Sequence, residues 1–166
     1  MPVIHISKSL YIVNHQRYLP PLSRQNPPFS ENQKQDADND ERGLLTTWQL
    51  FNLYNEIENG ILDKVNARND LLKFGFIEFR PKDLILIDEP KELFKNGEVC
   101  IVNITDLTLN VGDEILVEKS GKFFKTTIEG IQLDNKPVTT AKTGEIGLQL
   151  SIPIKNKSIL WKKTSS

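Results

Sequence analysis

The chain has 166 residues, 38% hydrophobic and 26% charged, which is enough for one moderate core or two small ones. A formal net charge of −1 excludes a global attraction to polyphosphate, so any contact with nucleic acid has to come from a local patch. A single cysteine, Cys100, excludes an intrachain disulfide and a cysteine-based zinc site.

The charge is unevenly spread. Residues 1–89 hold 10 Lys+Arg against 13 Asp+Glu, and residues 90–166 hold 11 Lys, no Arg and 9 Asp+Glu. The mildly basic second half points to an anionic partner or, more plainly, to a solvated lysine surface. Apolar runs such as Leu84-Ile85-Leu86-Ile87 fall far short of the ~20 residues of a spanning helix, and Met1-Pro2-Val3 lacks a basic segment before an apolar one. The expectation is a cytoplasmic chain with no membrane partner.

Val3–Ile6 and Leu10–Val13 are β-branched runs that read as two strands or one interrupted strand. The segment from His15 to Phe29 carries four prolines, which remove donors and bias their predecessors to extended geometry, so it reads as a loop pinned by Tyr18, Leu22 and Phe29. Ser30–Glu41 is polar throughout, a surface segment that Ser30 can cap as a short helix but that has no apolar face to hold it. Gly43-Leu44-Leu45 reads as a buried strand. Thr46 and Gln49 then form a capping-box pattern, and Leu50, Leu53, Tyr54, Ile57 and Ile61 recur at helical spacing, widened by Trp48 and Phe51 and closed by Gly60. A second helix is predicted over Asp63–Phe74, a strand over Phe76–Phe79, a linker at Arg80–Asp83, and at Leu84–Ile87 a strand that either half can claim.

After Pro90 the period changes from 3.6 to short strands punctuated by Gly, Asp and Asn, predicted at about 97–104, 114–118, 123–132, 146–150 and 159–162. Val111-Gly112-Asp113-Glu114 is a turn that uses the freedom of Gly112 to take positive φ and places Ile115 and Val117 inward. Gly97–Val102, Leu109–Ile115, Ile128–Val138 and Ala141–Leu148 resemble, in order and spacing, the second-domain β-barrel of elongation factor Tu and its relatives. The resemblance implies an all-β Greek-key barrel over residues 89–164. It also implies Gly-Asp before the last strand, where this chain has Lys157-Ser158. No G-x-x-x-x-G-K-[ST] is present, because Gly121-Lys122 is followed by Phe123, so the barrel is used here without its GTPase.

The N-terminal half is similar to the closing part of a restriction-endonuclease-like domain, on Leu10–His15 with Arg17, Pro20–Arg24, Pro28-Phe29, Gly43–Phe51 and Arg68–Phe79. That likeness implies a late strand, a proline-rich loop, a short strand and two closing helices, and places the family's catalytic strands upstream of Met1. Together the two likenesses give an α+β piece over 1–79, a linker or shared strand over 80–88, and the barrel over 89–164.

Asp83 with Glu89-Pro90-Lys91 has the residue types of a D…E-x-K magnesium set, but the gap is too short for the usual hairpin and Pro90 interrupts the motif. Asp36-Ala37-Asp38-Asn39-Asp40 resembles the start of a calcium loop, with Glu41 where glycine belongs and Thr47 where glutamate belongs. His5 and His15 have no ligand or nucleophile at useful spacing. No catalytic, metal or cofactor residue is assigned, and the chain is read as noncatalytic. Two basic groups remain as contact candidates for nucleic acid or a partner: Lys119, Lys122, Phe124, Lys125, Trp161 and Lys162 in the barrel, and His15, Arg17 and Arg24 in the proline-rich loop. Strand alternation makes one of Phe123 and Phe124 a core residue.

Three functions follow: an accessory C-terminal piece of a nuclease-like protein, docking nucleic acid (DNA or RNA) or an upstream nuclease polypeptide; a translation-related RNA or ribosome-binding module; or a metal-dependent nuclease with an unrecognised site. The strands missing from the first half also imply self-association through residues 1–79 or a need for an upstream polypeptide.

Overall fold

The computed structural model describes residues 8–20, 23–24, 27–119 and 121–164. The strand expected at Val3–Ile6, together with His5 and Leu22, lies outside them. The fold is mostly β with few helices, and the chain divides into two compact units, Met1–Pro81 and Lys82–Ser166.

In the first unit, β1 (Ser9–Val13), β2 (Arg42–Thr46) and β3 (Gly75–Phe76) form a parallel sheet in the order β1-β2-β3. Parallel neighbours need long crossovers. These run through α1 (Glu31–Asn39) between β1 and β2, and through α2 (Thr47–Glu58) and α3 (Lys64–Asp70) between β2 and β3. The polar segment after Ser30 is thus a helix with a complete Ser30–Gln33 capping box. A single residue supplies the apolar face that periodicity does not reveal: Ala37 is buried with Phe29 and Leu44, and Phe76 packs on them, its ring edge-on to Phe29 at 5.7 Å.

Helix α2 has the predicted Thr46–Gln49 box, and the Gln49 amide also donates to the Ile77 carbonyl at 2.8 Å, tying the helix start to the strand edge. Leu53, Ile61 and Leu62 are buried, whereas Leu50, Phe51 and Tyr54 stay exposed, contrary to the predicted stripe. A sheet of three short strands is too narrow to cover so wide a face. Helix α3 stops at Asp70, before the predicted Phe74, where the buried Asp70 carboxylate pairs with Lys73 at 2.6 Å in the following turn.

The second unit contains β4 (Leu84–Asp88), β5 (Glu92–Phe94), β6 (Val99–Ile104), β7 (Leu109–Asn110), β8 (Glu114–Lys119), β9 (Lys122–Leu133), β10 (Lys136–Val138), β11 (Thr140–Ala141), β12 (Gly144–Leu150) and β13 (Ile159–Lys163). The main sheet runs β4-β13-β8-β9-β12-β6-β5, with β10 hairpinned onto β9 and β7 paired to β11. Residues 84–88 therefore belong to this unit, paired to β13. The sheet curls. Strand β9 pairs with β8 along its first half and with β12 and β10 along its second, and β12 shifts register at Gln149/Leu150, as a bulge does where a strand bends. Asp88 of β4 accepts the Asn103 N–H of β6 at 2.7 Å and the Glu89 N–H at 2.8 Å, so a carboxylate bridges the first strand of the sheet order to the one before its last. Inward residues from every long strand, among them Cys100, Val102, Ile115, Val117, Ile128, Ile131, Leu148 and Leu160, make one core.

The turns follow residue chemistry. Asp134 and Asn135 both have positive φ (51° and 61°), as a two-residue hairpin between β9 and β10 requires, and Gly112 sits at φ 95°. Lys157, at φ 63°, occupies the left-handed position where the resemblance implies glycine. A left-handed non-glycine residue costs about 1–2 kcal/mol, and glycine gives back about 0.5–1 kcal/mol through its looser unfolded state. Lys157→Gly is therefore expected to stabilise the barrel by roughly 0.5 kcal/mol, read as a higher urea midpoint; a lower midpoint would show that the lysine side chain contributes more than its backbone costs.

A candidate polyanion surface on the barrel

The β8–β9 hairpin ends with Lys119 directly opposite Lys122. The Lys119 ammonium donates to the Asn156 carbonyl, which brings the turn carrying Lys155 and Lys157 against the hairpin tip. Four lysines thus come from two segments that contain no acidic residue, 119–122 and 155–158. Lys155 and Lys157 are exposed, Lys119 and Lys122 partly so. The nearest acidic residue in sequence, Glu118, accepts the Trp161 indole N–H at 3.0 Å. Sequence reading missed Lys155 and Lys157 because only the fold sets their turn beside the hairpin; the signal was a Lys-Asn-Lys-Ser turn just before the last strand.

The other barrel candidates are placed differently. Phe124 faces Val117 across β8–β9 and packs, partly buried, against the core, so it is the inward member of the pair. Phe123 is also buried, on the opposite face, where Leu116 of β8 is buried as well. Lys125 pairs with Glu114 at 2.9 Å. Trp161 lies between Leu116 of β8 and Leu86 of β4 in register, its ring nitrogen held by Glu118. Lys162 is a strut: its ammonium donates to the Thr108 carbonyl at 2.8 Å and to Asp113 at 2.6 Å, fastening the β7–β8 turn to β13. Burial alone would raise the Asp113 carboxyl, but Lys162 and the Asn110 N–H together outweigh it and hold the group below the usual carboxylate range.

In the proline-rich loop, Arg24 donates to the Leu19 carbonyl at 3.0 Å and to Asn14 Oδ1 at 3.1 Å, so this guanidinium shapes the loop. His15 is half-buried and Arg17 exposed. Asp83 precedes β4 and Glu89-Pro90-Lys91 follow it, which sets Asp83 and Glu89 about 20 Å apart along the strand, too far to share a metal. Asp36 and Asp38 lie within α1, which is helix and not a calcium loop. Among the described residues no group of His, Cys, Asp and Glu is arranged to hold a metal, and no helix is long and apolar enough to cross a membrane. Cys100 is buried in the core, its thiol pushed up to about 12 by burial and by nearby Asp88.

No protein family model and no curated protein matches this sequence. Solved structures similar to it include the C-terminal domain of a Geobacillus thermoleovorans protein assigned to the U32 peptidases, at 15% identity and TM-score 0.39, over 47% of this chain and 99% of that one. The translation elongation factor SelB of Methanococcus maripaludis matches at 20% identity and TM-score 0.36, over 75% of this chain. A bacterial selenocysteine-specific elongation factor, EF-Sec, matches at 15% identity and TM-score 0.36, over 96% of this chain. This chain spans 27% of the length of each elongation factor.

Proposed function

We propose that this chain is a noncatalytic, translation-related binding module whose barrel holds RNA phosphates at the end formed by the β8–β9 tip and the 155–158 turn. The observation that carries the reading is the Lys119–Asn156 hydrogen bond, which gathers Lys119, Lys122, Lys155 and Lys157 from two segments that contain no acidic residue. Lysines act as point charges toward phosphate and carry no base preference, so the contact is electrostatic and sequence-tolerant. The choice of RNA rests on the four ordered barrel motifs that resemble those of translation factors. The accessory-nuclease reading assigns the same lysines to DNA.

Fluorescence anisotropy with single-stranded RNA, duplex RNA and duplex DNA tests this. Four phosphate contacts on a single strand give a salt slope of about −3, so affinity is expected to fall ~50-fold between 50 and 200 mM salt. Replacing Lys119, Lys122, Lys155 and Lys157 together by Ala is expected to flatten that slope and abolish binding at low micromolar protein, with the circular dichroism spectrum intact. Equal binding by the folded variant would sink the proposal, and a preference for duplex DNA would move the assignment to the nuclease-like reading. Metal-dependent cleavage of any of the three would contradict the noncatalytic reading.

A further inference from the structure

Strand β1 is unlike the other strands of the chain. All five of its residues are exposed, with Leu10, Tyr11, Ile12 and Val13 each 38–50% accessible, although four of the five are apolar or aromatic. It pairs with β2 along one edge, and among the described residues no strand pairs with its other edge. Alternate residues of a strand point to opposite faces, so Leu10 and Ile12 lie on one face and Tyr11 and Val13 on the other, and both faces are open. Folded proteins blunt such edges with lysine, proline, bulges or a covering element. Residues 9–13 contain no charge and no proline.

We infer that β1 is the seam of a homodimer, in which two copies pair their β1 strands antiparallel about a two-fold axis and join two three-stranded sheets into one. The strand is complementary to itself. A register centred on Tyr11 sets Leu10 against the partner copy's Ile12 on one face, Ser9 against Val13 on the other, and leaves no apolar side chain opposite a charge. Of three cations of the same unit, Arg42 is neutralised by a carboxylate, and Lys8 and Arg24 are held by hydrogen bonds to neutral oxygens, which direct them without cancelling their charge. Lys8 donates to the Leu72 carbonyl at 2.8 Å, Arg42 pairs with Asp40 and lies over the Tyr11 ring, and Arg24 is held by Leu19 and Asn14. A two-fold contact uses the same patch twice, so one neutral, apolar strand satisfies both sides.

Sedimentation velocity on the full chain, with cysteine cross-linking, tests this. The chain is expected to run as a dimer, and Ile12→Lys, at a position already exposed in the monomer, to run as a monomer with an unchanged circular dichroism spectrum. At the centre of the register the two Tyr11→Cys Cα atoms lie about 4.5–5.5 Å apart, within disulfide range, while Val13→Cys residues are offset by about 13 Å along the strand. Mild oxidation should therefore cross-link Tyr11→Cys and not Val13→Cys, and buried Cys100 does not compete. A monomeric wild type, a dimer that survives Ile12→Lys, or equal cross-linking at both positions would each overturn the inference. So would a monomer whose β1 amides resist exchange, since another segment of the same chain would then cover the edge. Loss of the dimer leaves the lysine surface intact, so RNA affinity of Ile12→Lys tests the two proposals separately.

Discussion

Gly97→Ala is expected to destabilise the barrel by about 4 kcal/mol or more. Two causes add. Gly97 has φ 94°, a conformation that side chains rarely adopt, and a Cβ placed there would lie 2.0 Å from the Ile154 carbonyl oxygen. That oxygen belongs to backbone and cannot swing aside, because the Ile154 N–H is itself bonded to the Gly97 carbonyl at 2.9 Å. Gly121 is the control. It has φ 73°, and a Cβ added there would meet nothing within 4 Å, so Gly121→Ala bears the backbone cost alone, roughly 1 kcal/mol. Urea unfolding followed by Trp161 fluorescence in a Trp48→Phe background reads the second unit by itself. Equal midpoint shifts for the two variants would show that the 95–98 turn relaxes away from Ile154.

The barrel was legible because its turns demand particular residues. Gly112, Asp134-Asn135 and Gly144 mark reversals that few other residues tolerate, and alternation between them fixes the inward set from Val102 to Leu148. The first unit was harder to read. Helix α1 is held by one alanine against Phe29 and Leu44, too little apolar surface for any periodicity to register. In α2 the period was correct but the buried width was not, since periodicity shows that a face is apolar and says nothing about how much sheet lies beneath it.

For the candidate site, the difficulty was one of partners. Phe123 and Phe124 differ in which face of β9 they take, one buried and the other partly buried, so alternation by itself could not name an exposed aromatic. Lys162 looks like its neighbour Lys163 in sequence. It is set apart by Asp113 and the Thr108 carbonyl, which lie 49 and 54 residues away. Lys155 and Lys157 enter the surface only through the Lys119–Asn156 contact, a pairing no local pattern encodes.

Lys162→Met separates the strut from the surface. Removing the ammonium loses two charge-assisted hydrogen bonds and leaves the partly buried Asp113 carboxylate to Asn110, at an expected cost of about 2 kcal/mol near neutral pH. The cost should depend on pH in a definite direction. In the wild type the folded Asp113 carboxyl lies below its ordinary value, so its contribution is present above the unfolded value of about 3.9 and is lost as pH falls through the folded one. In Lys162→Met both contributions of the lysine are gone and the Asn110 hydrogen bonds alone oppose burial, so acid removes less stabilisation than in the wild type. The difference in urea midpoint between wild type and variant should therefore be largest at pH 7 and shrink below pH ~4. A gap that stays constant down to pH 3 would mean that the Thr108 carbonyl, and not Asp113, is what Lys162 stabilises. RNA affinity at pH 7 completes the separation: a strut that faces Asp113 has no charge to spare for phosphate, so the folded variant should bind as the wild type does, and a loss matching that of the four surface lysines would put Lys162 back on the binding face.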